Sequence, residues 1–137
     1  MKKITIFLIL LLSTLCVNAQ SLAFTEDEKA ENEIQIHQMV NYLQETLNFI
    51  GDPRVSAQEK DIIFKESYNK IFRDENVQVE DDLDENRGTS INKDVQAYLK
   101  DIDFFFDNVK FQFEIQNITP QLNEMGEPFF KVEMARK

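Results

Sequence analysis

The residues best suited to chemistry in this chain lie in an acidic run, Glu80-Asp81-Asp82-Leu83-Asp84-Glu85-Asn86. Asp82, Asp84 and Asn86 alternate along it, as the first three oxygen ligands of a calcium loop do, because alternation turns successive side chains toward a common centre. Calcium is the cofactor such a run would take. The rest of the pattern fails. With Asp82 as the first position, the sixth, which needs glycine, is Arg87, and the twelfth, which needs a bidentate glutamate, is Lys93. The competing reading, which these two basic residues favour, is an exposed acidic connection with Arg87 as its local counter-ion.

Nothing resembling a catalytic set accompanies this run. His37 is the only imidazole, and neither Ser56 nor Ser67 has a base at a recognisable spacing, so His37 reads as an ordinary helix residue. Asp101 and Asp103 are two apart on a predicted helix and cannot face each other as an acid and base pair, so they read as helix-surface charges. The consecutive rings Phe104, Phe105 and Phe106 cannot all lie on one narrow helix face. They either pack between that helix and a sheet or, joined by Phe113 and Phe130, line a ligand pocket. There is no glycine-rich phosphate loop, no pair of metal-binding histidines and no basic aromatic stripe, which disfavours nucleotide, zinc and nucleic-acid functions.

The elements that must position these residues follow from the rest of the chain. Its 137 residues allow one modest domain, and 42% apolar content with 3 Gly and 3 Pro excludes collagen-like and low-complexity classes. A formal charge of −10 argues against nucleic acid or an anionic membrane surface as partner. Lys2 and Lys3, the apolar residues 4–12 and Val17-Asn18-Ala19 form the three parts of a secretory signal peptide cut after Ala19. The apolar run is too short for a stable membrane span, and Leu15 ahead of Cys16 does not suit lipoprotein processing. Residues 1–19 are therefore read as a signal peptide and residues 20–137 as a single exported domain, periplasmic or extracellular. Cleavage removes Cys16, the only cysteine, so the product has no disulfide and must rely on its core.

Within that domain, Thr25 with Glu28 and Ser56 with Glu59 are capping boxes. The first opens a helix reaching about Ile50, with Ile36, Met39, Val40, Leu43, Leu47 and Ile50 on one face, and Gly51 and Pro53 end it. The second opens a helix ending near Arg73. A short strand at 77–79 precedes the acidic loop. Ser90 or Asn92 then caps a third helix from about Lys93 to Asn108, whose apolar face holds Val95, Leu99, Ile102 and Phe105 or Phe106. Phe111, Phe113 and Ile115, then Phe130, Val132 and Met134, alternate with polar residues as two strands of a hairpin.

The fold class is α+β, three helices on an antiparallel sheet. The last strand leaves an apolar edge unpaired, which implies either an N-terminal piece of a longer protein, with the sheet incomplete at its C-terminus, or a second subunit that completes it.

The element order resembles the cone-shaped NTF2-like fold, and an aromatic cavity that binds a small ligand is what that resemblance implies. The runs Val77-Gln78-Val79-Glu80-Asp81-Asp82-Leu83-Asp84-Glu85-Asn86-Arg87 and Asn92-Lys93-Asp94-Val95-Gln96-Ala97-Tyr98-Leu99-Lys100-Asp101-Ile102-Asp103-Phe104-Phe105-Phe106 are similar to exported bacterial proteins in which such a module precedes a domain resembling formylglycine-generating enzyme. No residue here corresponds to that second domain, so its activity does not carry over. The function expected is a non-catalytic interaction or accessory module of the bacterial envelope. Its partners would be another protein, further domains of the same chain, or a second copy through the sheet edge. The alternative is a ligand-binding or enzymatic NTF2-like domain.

Overall fold

The computed structural model describes residues 24–81, 83, 86–106 and 108–137. Helix α1 (Glu26–Ile50) begins at the expected capping box: the Thr25 N–H donates to the Glu28 carboxylate at 2.7 Å, and the Glu28 N–H donates to the Thr25 hydroxyl at 3.2 Å. Helix α2 (Ala57–Lys65) begins in the same way at Ser56 and Glu59. It stops earlier than its apolar spacing predicts. The backbone leaves helical geometry at Glu66 and re-forms as a 3-10 turn, Ser67–Lys70, which lets Tyr68 and Phe72 pack back onto the core.

Residues 92–94 are a correction to the expected third helix. They pair as strand β2 (Asn92–Asp94) with strand β1 (Gln78–Glu80), in the register Gln78↔Asp94, Val79↔Lys93, Glu80↔Asn92. The ladder continues into the next helix, because the Val95 N–H donates to the Val77 carbonyl at 3.0 Å. Helix α3 therefore spans Val95–Phe105, with Asp94 as its N-cap residue making no side-chain capping bond.

The expected hairpin is present and longer than the alternation suggested: β3 (Phe113–Leu122) pairs antiparallel with β4 (Pro128–Arg136). A bulge at Gln116 breaks the simple alternation after Ile115. Ile115 lies opposite Met134, but the next apolar pairs are Ile118 with Val132 and Pro120 with Phe130, so one extra residue keeps a single face apolar past the point where the phase changes. At the tip, the Asn123 side chain accepts from the N–H groups of Met125 and Glu127, and Gly126 takes a φ of 79° that a side chain would resist. At the base, the Lys137 N–H donates to the Gln112 carbonyl at 2.9 Å.

The architecture is α+β, with three helices and two separate two-stranded antiparallel sheets rather than the single sheet expected. The core is eccentric. It gathers Leu47 and Ile50 from the end of α1, Phe64 from α2, Val95, Tyr98, Leu99 and Ile102 from α3, and Phe111. Of the apolar stripe predicted on α1, Met39 is 44% exposed, so the N-terminal half of this helix, whose full length is about 37 Å, runs beyond the core toward the hairpin. Gly51 is required by close approach. A Cβ there would lie 2.7 Å from Val109 Cγ1 and 2.9 Å from the Val109 carbonyl oxygen. Among the described residues no helix is long and apolar enough to cross a membrane.

Candidate functional site

The acidic run resolves into an ionic cluster at its first described member. Asp81 follows β1 directly, and its side chain is only 2% exposed. Its carboxylate accepts from Arg87 Nη1 at 2.6 Å and from the Leu83 N–H at 3.3 Å, and lies 2.7 Å from Lys93 Nζ. Lys93, on β2, also binds Asp101 on α3. The Lys93 ammonium above all, followed by Arg87 and the Leu83 amide, holds the Asp81 carboxyl down to about 2 against the opposing effect of burial. Asp101 and then Asp81 in turn raise the Lys93 ammonium.

The expectation that this whole segment is exposed is therefore corrected at Asp81. Asp101 and Asp103 are likewise more than surface charges, since Asp103 accepts from Lys60 Nζ at 2.6 Å and the Lys60 side chain is 8% exposed. Of the calcium-type residues, Asp82 and Asp84 lie outside the described residues, and Asn86 is exposed. Among the described residues no three His, Cys, Asp or Glu side chains converge as a metal site.

A cavity of about 310 Å³ adjoins the cluster, lined by Asp81, Leu83, Arg87, Lys93, Phe105 and Phe106 among others. The end of the aromatic run, Phe105 and Phe106, borders it. Phe104 is 83% and Phe105 71% exposed, their ring centroids 6.0 Å apart. On a 3.6-residue period Phe104 stands opposite the buried Val95, Leu99 and Ile102, which is why it faces out. Phe106 leaves the helix in extended backbone and is half-buried. Phe113 packs against the core beside Phe111, with ring centroids 6.3 Å apart, and Phe130 packs on Phe24 at 4.6 Å. The five rings read from sequence thus stand in four different surroundings. Phe105 and Phe106 share the cavity, while Phe130 borders a separate cleft.

That cleft, of about 490 Å³, separates the N-terminal half of α1 from β3. His37 lies on its α1 wall with Glu26, Lys29 and Glu33, opposite Gln116 and Asn117. Lys29 pairs with Glu26 at 2.6 Å. Asn117 donates to Thr119 Oγ1 and Glu133 Oε2 across the strand surface.

Two residues that the sequence reading passed over join helix and hairpin. Asn48 of α1 accepts from the Phe111 N–H at 2.6 Å and donates to the Phe111 carbonyl at 3.0 Å, and Gln44 accepts from the Phe113 N–H at 2.8 Å. Their amides take the place of a neighbouring strand. The available signal was their four-residue spacing beside Leu43 and Leu47, which puts both on one flank of the buried stripe. Comparison with known protein families, with curated proteins and with solved structures gives no match for this chain.

Proposed function

We propose that the chain is an exported, non-catalytic interaction module of the bacterial envelope, whose partner is another envelope protein or a further domain of the same polypeptide. The observation that carries this reading is the exposed pair Phe104 and Phe105 at the end of α3. Two adjacent rings left in water beside a cavity are a surface that a protein partner would cover. The charged groups that share the cavity with Phe105, among them Asp81, Lys93 and Asp101, bind through Lys93 and hold the fold. The dispersal of the five rings favours this reading over a ligand pocket. The order of helices, short strand and hairpin supports an NTF2-like assignment, whereas the division into two separate ladders weighs against it.

The test places a photo-crosslinking phenylalanine analogue at position 104 in producing cells, with exposed Glu31 on α1 as the control position. A discrete adduct at 104 that is absent at 31 is expected, and equal yields at both positions would overturn the interaction reading. The export part has its own readout. The intact mass of the recovered protein should place Gln20 at its N-terminus, and retention of Lys2 and Lys3 would refute cleavage.

A further inference from the structure

The two edges of the β3–β4 hairpin are treated differently. On the β3 side, the amides of Asn48 and Gln44 occupy the backbone at Phe111, just ahead of the strand, and at Phe113, the bulge at Gln116 interrupts the ladder, and Pro120 has no N–H to offer. These are recognised ways of closing a strand edge. Strand β4 is paired with β3 along one side, and among the described residues no strand pairs with its other side. Its only proline, Pro128, is its first residue, so the remainder of the edge retains its donors.

The side chains of β4 are self-complementary about one point. Lys131 and Glu133 lie on the same face, paired with each other at 2.7 Å and each about half exposed. If a second copy ran antiparallel along the open edge with Val132 on the two-fold axis, Lys131 would face Glu133 of that copy, and Glu133 would face its Lys131. The same register sets Met134 across from Phe130 and Phe129 across from Ala135. These contacts would cover Met134 and Phe129, which are 39% and 41% exposed in the single chain. The neighbouring registers that keep the two faces aligned centre on position 131 or 133, and they set Lys131 on Lys131 or Glu133 on Glu133. Like charges directly opposite are destabilising, so one register stands out. A lysine alone would guard an edge; a lysine two residues before a glutamate makes the edge complementary to itself.

We propose that the protein forms a two-fold symmetric dimer in which β4 pairs antiparallel with β4 of a second copy about Val132, joining two hairpins into one four-stranded sheet. This rests on the interaction-module reading and names one partner for it, at a surface separate from Phe104 and Phe105. The interface is small, so the dimer is expected in the micromolar range.

Sedimentation equilibrium of the purified protein over a wide concentration range, with Lys131→Glu, Glu133→Lys and the double exchange, tests the dimer. The single variants lose an exposed ion pair and, at Glu133, one exposed bond from Asn117, so their fold is retained, with circular dichroism as the check. The wild type should dimerise, each single variant should dimerise at least tenfold more weakly, and the double exchange should recover. An equimolar mixture of the two single variants should form a heterodimer, because each supplies the charges the other lacks. A wild type monomeric throughout, single variants that dimerise as the wild type does, or a mixture that stays monomeric would each overturn the proposal. None of these outcomes bears on the adduct at position 104, which tests the wider reading.

Discussion

Replacing Asp81 with alanine should cost about 3 kcal/mol of folding stability and lower the melting temperature by roughly 10 °C. The carboxylate is almost wholly buried and gathers Arg87, Lys93 and the Leu83 amide, so its removal leaves two cations converging on an empty centre. The figure lies at the low end for a broken buried pair, because the Arg87 and Lys93 side chains are 29% and 26% exposed and can turn toward water. The sign of the pH dependence follows from the same geometry. The folded-state value of about 2 lies below the ordinary 3.8, so the contribution is present above about pH 4 and is lost as the pH falls toward 2. The stability gap between wild type and Asp81→Asn, measured by urea unfolding at a series of pH values, should therefore be full near neutrality and close on acidification. Asp52, held down to about 2 by Arg54, adds its own acid sensitivity to both proteins and cancels in the difference. A gap that did not change with pH would remove the ionic account of this cluster.

Replacing Asn48 with alanine should have an effect of similar size, about 3 kcal/mol, for a different reason. Phe111 is 4% exposed, and the substitution leaves both its N–H and its carbonyl without their partner at a partly buried position. Gln44→Ala removes a single bond to the Phe113 N–H and should cost about 1 kcal/mol. Chemical denaturation of the two variants beside Asn48→Asp separates the contributions. Aspartate keeps the acceptor for the Phe111 N–H but cannot donate to the carbonyl, so its stability should fall below that of the wild type. An Asn48→Ala protein within about 0.5 kcal/mol of wild type would mean that the Asn48 amide does not help to hold the hairpin on the helix.

The local features were legible in the sequence because their causes are local. Both capping boxes, the end of α1 at Ile50, the α3 stripe of Val95, Leu99 and Ile102 and the existence of the hairpin all follow from neighbours within a few residues. What was misread depends on distant partners. Asn92 looked like a helix cap because a polar residue precedes an apolar period, yet it pairs with Glu80 across a loop. The bulge at Gln116 hid the second half of β3 from any strict alternation rule.

The candidate site shows the same division. Arg87 and Lys93 break the pattern of a calcium loop counted from Asp82. They are the partners of Asp81 one position earlier, so the departure from the metal pattern was itself the trace of an internal ion cluster. No local rule marks which carboxylate of an acidic run will be buried.

The eccentric core also has a kinetic consequence. The cluster around Ile50, Leu99 and Ile102 fixes the end of α1, α2 and α3, whereas the first half of α1 and the outer hairpin have few apolar contacts to lose. Such a layout favours sub-global opening, in which the hairpin frays and re-forms while the helical end stays folded. Amide protons of α3 would then exchange only with complete unfolding, and those near the hairpin tip far sooner. The hairpin can lengthen, shift or add strands at its edge without the helical end having to unfold.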